Sequence, residues 1–170
     1  DGEYDFEDRM DDDGFTSNPV ILQVKIKVSR DTLVFDFTGS SPTVRGSINL
    51  PFSSTVAIVN SALRYFLDPS IPPNSGVIRP VTVLAPYDTV VNAGFPAGVA
   101  GRGATLGRLW DVIIGAMAKV LPDKCPACWT HVDFGICMGG ANRDGTLFVY
   151  TDFLPGSWPG RPSIDGIDGH

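Results

Sequence analysis

Cysteine is scarce: Cys125, Cys128 and Cys137 are the only three in 170 residues. An odd, sparse set in a chain long enough to fold without staples excludes a disulfide framework and makes a reducing compartment, the cytoplasm, the expected location. Long apolar runs are missing too. None reaches the roughly eighteen residues that a bilayer span requires, and Asp1-Gly2-Glu3-Tyr4 has neither the basic nor the apolar region of a signal peptide. Histidine is confined to His131 and His170, and no Gly-x-Ser-x-Gly elbow occurs, which leaves little material for a general-base triad.

Basic residues are in deficit. The formal net charge is −6, and eight of the 19 acidic residues lie in Asp1–Asp13, where Arg9 is the only base. A nucleic-acid or anionic-membrane footprint is excluded on that balance. Asp11-Asp12-Asp13-Gly14 lacks the alternating oxygen ligands and distal Glu of an EF-hand, so residues 1–19 read as an acidic, turn-forming lead. What the chain does have is a globular composition, 43% hydrophobic, with 19 Gly and 14 Pro to make turns.

Val20, Leu22, Val24, Ile26 and Val28 alternate with polar or outward positions, and Leu33, Phe35 and Phe37 repeat the pattern after Ser29-Arg30-Asp31. Period two with a short polar break predicts a β-hairpin with one apolar face. The spacing of Val56, Val59, Leu63 and Phe66 predicts a helix from a Ser53 or Ser54 cap to Asp68-Pro69. Residues 69–80 hold four prolines and read as a rigid connection, followed by short β-like runs at Val81–Leu84 and Thr89–Asn92. Leu106, Leu109, Trp110, Ile113, Ile114, Met117 and Val120 predict a second helix over Thr105–Val120, and Thr146–Phe153 predicts a last strand. The order argues an α+β fold, an antiparallel sheet with a β-hairpin and two main helices packed on it, joined by many Gly/Pro loops. The expected division is a single domain over 20–154 and a Gly/Pro-rich tail over 155–170. The missing initial Met and the tail's Gly-rich ending suggest a piece of a longer polypeptide.

Four groups of residues are candidates for chemistry. Gly98-Val99-Ala100-Gly101-Arg102-Gly103-Ala104-Thr105 runs into the second helix, where backbone N–H groups, the helix dipole and the Arg102 guanidinium can meet an anion. Its spacing is neither a Walker A loop nor a dinucleotide fingerprint, and glycines before a capped helix often serve only a tight turn. Asn74-Ser75-Gly76 with Arg79 is a second group; Asp36, Thr38, Ser40 and Asn49 are a third, both more often loop hydrogen bonding than catalysis. Cys125, Cys128, His131 and Cys137 offer four zinc-competent ligands, but only the first knuckle is regular and the βαβ context of a redox pair is absent, so ordinary thiols are preferred.

Read in order, Asp12-Asp13-Gly14, Val34-Phe35-Asp36-Phe37-Thr38-Gly39-Ser40-Ser41, Gly46-Ser47-Ile48-Asn49, Pro73-Asn74-Ser75-Gly76 with Arg79-Pro80, Phe95-Pro96-Ala97 and the stretch Trp158–Gly169 resemble the hydantoinase B/oxoprolinase family. The resemblance implies part of the B-type component of an ATP-dependent N-methylhydantoinase-like or 5-oxoprolinase-like enzyme, acting with an A-type subunit or domain that brings ATP and Mg²⁺. It also implies a divalent metal bound upstream of this region, and relatives in acetone and acetophenone carboxylases. The cysteine pair is not part of the family pattern. Hydrolysis of an unstrained cyclic amide needs an electrophilic carbonyl, which phosphorylation of the amide oxygen supplies. On that implication Arg102 and Arg79 are the groups expected to face the charge, with Asn74 and Asp36 as second choices; a structural, subunit-docking role is the reading from another class.

Overall fold

The computed structural model describes residues 1–129, 134–154 and 156–167. They form two compact units, 1–125 and 126–170, whereas the sequence reading placed its boundaries after residues 19 and 154.

The first unit is built on a four-stranded sheet in the order β1-β2-β3-β4, with β1 Gly2–Met10, β2 Val20–Ser29, β3 Thr32–Asp36 and β4 Val81–Leu84. The expected hairpin is β2–β3, with Ile26 opposite Phe35 and Ser29 opposite Thr32 across a two-residue turn. The period-two face of β2 goes inward as its pattern dictates: Val20, Leu22, Val24 and Ile26 are buried, joined by Phe35 and Phe37. Each such side chain contributes about 1.5–3 kcal/mol of burial. β4 pairs parallel to β3, Leu33 opposite Val81 and Asp36 opposite Leu84, so the sheet is mixed rather than wholly antiparallel. A parallel neighbour needs a long crossover, and residues 37–80 supply it.

Two helices carry the rest of the core. α1 spans Phe52–Phe66 and buries Thr55, Val59, Ala62 and Leu63, an i, i+4, i+7, i+8 stripe. Its N-cap is Pro51, not Ser53 or Ser54. The connection 69–80 contains one turn of helix, α2 (Ser75–Ile78), where only a rigid linker was expected. α3 spans Arg102–Ala118, starting three residues and ending two residues earlier than predicted, and is buried almost all round from Leu109 to Ile114. A helix buried on every side lies between layers, and α3 packs on both the sheet and α1, where Trp110 meets Tyr65 edge-on at 5.9 Å. Thr89–Asn92 makes only isolated bridges, to Pro42 and within itself.

The acidic lead is where the structure departs most from the sequence reading. Gly2–Met10 is a strand paired antiparallel with β2 along its whole length, from Gly2 opposite Val28 to Met10 opposite Val20. Glu3, Asp5, Glu7 and Arg9 are exposed while Tyr4, Phe6, Asp8 and Met10 are half-buried. Phe6 lies against α3 at Gly115, where an added Cβ would come within 2.7 Å of its ring. Arg108 of the same helix donates to Asp8 at 3.0 Å. Glu3, Asp5 and Glu7 are therefore on the wet face of an edge strand, a placement that also discourages pairing with another chain.

The second unit contains a hairpin of β5 (Phe134–Ala141) and β6 (Leu147–Leu154), with Met138 opposite Tyr150 and Gly140 opposite Phe148. The final predicted strand is β6; β5 was missed. Ile136, Met138, Leu147, Phe148, Val149 and Tyr150 are all exposed on this ribbon.

Candidate functional site

Two buried polar side chains hold the loop between β3 and α1, and one of them, Asn49, ties it to the loop before α3. Asn49 is fully buried. Its Oδ1 accepts from Val44 N at 2.9 Å, and its Nδ2 donates to Val44 O and Gly46 O at 2.9 Å and to Gly98 O at 3.0 Å. Asp13 lies on the other side of Gly46: its Oδ1 accepts from Phe15 N at 3.0 Å and Thr16 N at 2.8 Å, and its Oδ2 accepts from Gly46 N at 3.2 Å. The backbone N–H groups of Thr16 and Phe15, with that of Gly46, hold the Asp13 carboxyl down at about 2. Gly46 is obligatory, because any Cβ there would run into the Asp13 carbonyl.

The same junction fixes the start of α3. Gly101 N donates to Ser47 O at 2.8 Å, and Thr105, buried in the first turn rather than capping it, donates from Oγ1 to Ile48 O at 2.5 Å. Residues 41–50 in turn run beside 88–93, with Thr43 N on Asp88 O at 3.0 Å, Val90 N on Ser41 O at 2.9 Å and Leu50 N on Val90 O at 2.7 Å. These bonds shape an open cleft of about 500 Å³, walled by residues 43–45, 87–88 and 94–98. Arg45 stands over the Phe15 ring at 4.6 Å. Asp88 occupies a left-handed turn position, φ 62°, and the fully exposed Phe95 precedes a cis Pro96. A second cleft of about 450 Å³ lies between Thr38, Phe52 and the end of β4.

The four residues singled out for charge do not form one cluster. Asn74 caps α2, its Oδ1 accepting from Gly76 N at 2.9 Å, and Arg79 closes the other end of that turn. Asp36 ends β3 and accepts from Thr38 N at 2.9 Å. Since Leu33 N bonds Pro80 O and Asp36 pairs with Leu84, Arg79 and Asp36 sit toward opposite ends of the β3–β4 pair. Arg102 is exposed on the first turn of α3 and donates from Nη1 to Val99 O at 3.1 Å. Among the described residues no hydrogen bond or ion pair joins any two of the four. Of the third group, Ser40 bonds Gln23 N and O and Thr38 borders the second cleft, while Asn49 belongs to the loop junction. Arg45, Tyr87 and Asp88 were missed, because they stand in two loops more than forty residues apart in the chain.

Cys125 is buried, and burial pushes its thiol up; Cys137 is exposed, and Thr151 Oγ1 lies 3.7 Å from its sulfur. His131 lies outside the described residues. Among the described residues no three His, Cys, Asp or Glu side chains converge as metal ligands.

The chain matches the hydantoinase B/oxoprolinase family over residues 1–170. It belongs to that family. A Pseudomonas sp. (strain NS671) protein, named as the B component of a D-/L-hydantoinase, is 33% identical over 99% of this chain and 30% of the relative. A 5-oxoprolinase of Dictyostelium discoideum is 29% identical over 94% of this chain and 12% of its own length. The ATP-dependent caprolactamase of Pseudomonas jessenii shares the fold with a TM-score of 0.84 at 22% identity, over 99% of this chain and 30% of that one. A nucleotide-free acetone carboxylase superposes with a TM-score of 0.72 at 18% identity, over 94% and 24%. This hydantoinase B/oxoprolinase chain therefore spans less than a third of the hydantoinase component it matches. Among the described residues no helix is long and apolar enough to cross a membrane.

Proposed function

We propose that the chain is a portion of the B-type component of an ATP-dependent hydrolase that opens a cyclic amide, a hydantoin or a lactam, together with an A-type subunit or domain that handles ATP and Mg²⁺. The observation that carries this reading is the family match along the whole chain, with relatives named as hydantoinase and 5-oxoprolinase. ATP, when bound on the partner, supplies the activation that an unstrained amide lacks. This region's own work is to hold loops in place and present charge. Arg102 spends one N–H on Val99 O, and among the described residues its remaining donors have no partner at the start of α3. A guanidinium held this way suits an anionic intermediate better than a mobile lysine does. Arg79, Asn74 and Asp36 brace or face neighbouring loops in the same proposal.

Two observations support other readings. The acetone carboxylase likeness favours a carboxylase that activates a carbonyl through the same use of ATP. The bare apolar residues of the β5–β6 ribbon favour a docking module for another part of the enzyme. Assaying the complete parent protein with its A-type partner separates them. Cyclic-amide-dependent ATP hydrolysis is the expected result; ATP hydrolysis dependent on acetone plus bicarbonate supports the carboxylase, and activity that survives loss of this region leaves only docking. Arg102→Ala should lower coupled turnover by about tenfold to a hundredfold with an unchanged thermal midpoint. Unaltered turnover would refute the role of Arg102.

A further inference from the structure

The cleft between residues 43–45, 87–88 and 94–98 carries opposite charges that no described residue neutralises. Among the described residues Arg45 makes no ion pair or side-chain hydrogen bond; its guanidinium rests on the Phe15 ring, which braces it without spending its donors. Asp88 lines the same cleft from a turn whose backbone is fixed, its N–H on Asn92 O and its carbonyl accepting from Thr43 N. The two form no salt bridge with each other, so each is open to an outside partner. Phe95 and Tyr87 supply apolar and aromatic wall, and the Oγ1 of Thr43 in that wall is buried without a partner. At about 500 Å³ the cleft is within the range of small-molecule sites.

We propose that this cleft binds a small zwitterion, a molecule with a carboxylate for Arg45 and an ammonium for Asp88, separated by a short apolar segment that rests on Phe95. Arginine takes a carboxylate with two parallel hydrogen bonds, and a carboxylate unpaired within the protein selects a cation. Joined to the reading above, on which this second step rests, the ligand class is the ring-opened product of a lactam. Hydrolysis breaks the ring C–N bond, the carbonyl carbon gains the hydroxyl of water and the nitrogen gains its proton; at neutral pH the acid and amine ionise. The intact ring holds its nitrogen as an amide and offers no ammonium, and a ring-opened hydantoin, whose amine stays inside a urea, offers only the carboxylate. The cleft thus favours the ring-opened product of a lactam over the intact ring and over a ring-opened hydantoin.

The test is calorimetric titration of the complete parent protein with ε-aminocaproate, caproate, hexylamine and caprolactam. Saturable binding of ε-aminocaproate, tighter than that of the other three, is expected. Arg45→Gln should weaken it by about tenfold or more, and Asp88→Asn by a similar factor while leaving caproate binding intact. Arg45→Lys should recover part of the loss, and thermal midpoints should match the unsubstituted protein. No saturable binding, caproate binding as tightly as ε-aminocaproate, or affinities unmoved by both substitutions would overturn the proposal. Arg45-dependent binding in a protein that opens no cyclic amide would leave the zwitterion site standing and remove the hydrolase reading, so the two fail separately.

Discussion

Asn49 shows how much one buried amide can organise. Four hydrogen bonds join it to two stretches of backbone, residues 44–46 and Gly98, and all its partners are main-chain groups that would be stranded without it. Asn49→Ala should cost about 2–4 kcal/mol, since stranded buried groups add to the lost bonds; urea unfolding measures this, and a cost under about 1 kcal/mol would mean that water replaces the side chain. Asp13 acts through charge. Its folded value lies near 2 against an ordinary value of 3.8. The carboxylate's contribution is therefore fully present above the unfolded value and is lost as pH falls through the folded one. Thermal midpoints followed from about pH 5 down to about pH 2 should drop more steeply for the native chain than for Asp13→Asn; parallel curves would contradict this. Neither residue announced its role in the sequence. Asn49 stood in a polar loop and Asp13 in a run of three Asp, and only long-range closure onto Gly98 and Gly46 distinguishes them.

At the scale of elements, legibility followed periodicity. β2 and β3 and both long helices were readable because their apolar residues repeat at two or near 3.6, and the buried residues of β2 fall on the predicted face. β1 was missed although Tyr4, Phe6 and Met10 alternate with Glu3, Asp5, Glu7 and Arg9; acidic density hid a period of two. β5 was missed for another reason. Gly135, Gly139 and Gly140 give it little strand propensity, and its pairing is set by β6. The contact between β1 and α3 is open to direct test. Phe6 fills the space left by Gly115, so Phe6→Ala should destabilise the fold by about 2 kcal/mol, below the full cost of a wholly buried Phe. Exchange protection in β1 should fall with it, while an unaffected β1 would show that backbone pairing to β2 alone secures the strand.

On the scale of the whole molecule, the family was readable from ordered short motifs, and the match along residues 1–170 bears that out. Motifs such as Asp36-Phe37-Thr38-Gly39-Ser40 serve turns and loop closure, as Asp36 does for Thr38 and Ser40 for Gln23. A reaction centre was less legible, because groups able to act on a ligand lie in loops that come together only in three dimensions, and because this chain is under a third of the hydantoinase component it matches. The intact protein is proposed above all to spend ATP in opening a cyclic amide. The most direct measurement is the amount of ADP formed against the amount of ring opened by the complete parent protein with its A-type partner. Equal amounts, with neither reaction proceeding alone, are predicted. Ring opening in the absence of ATP, or ADP release indifferent to the cyclic amide, would contradict it.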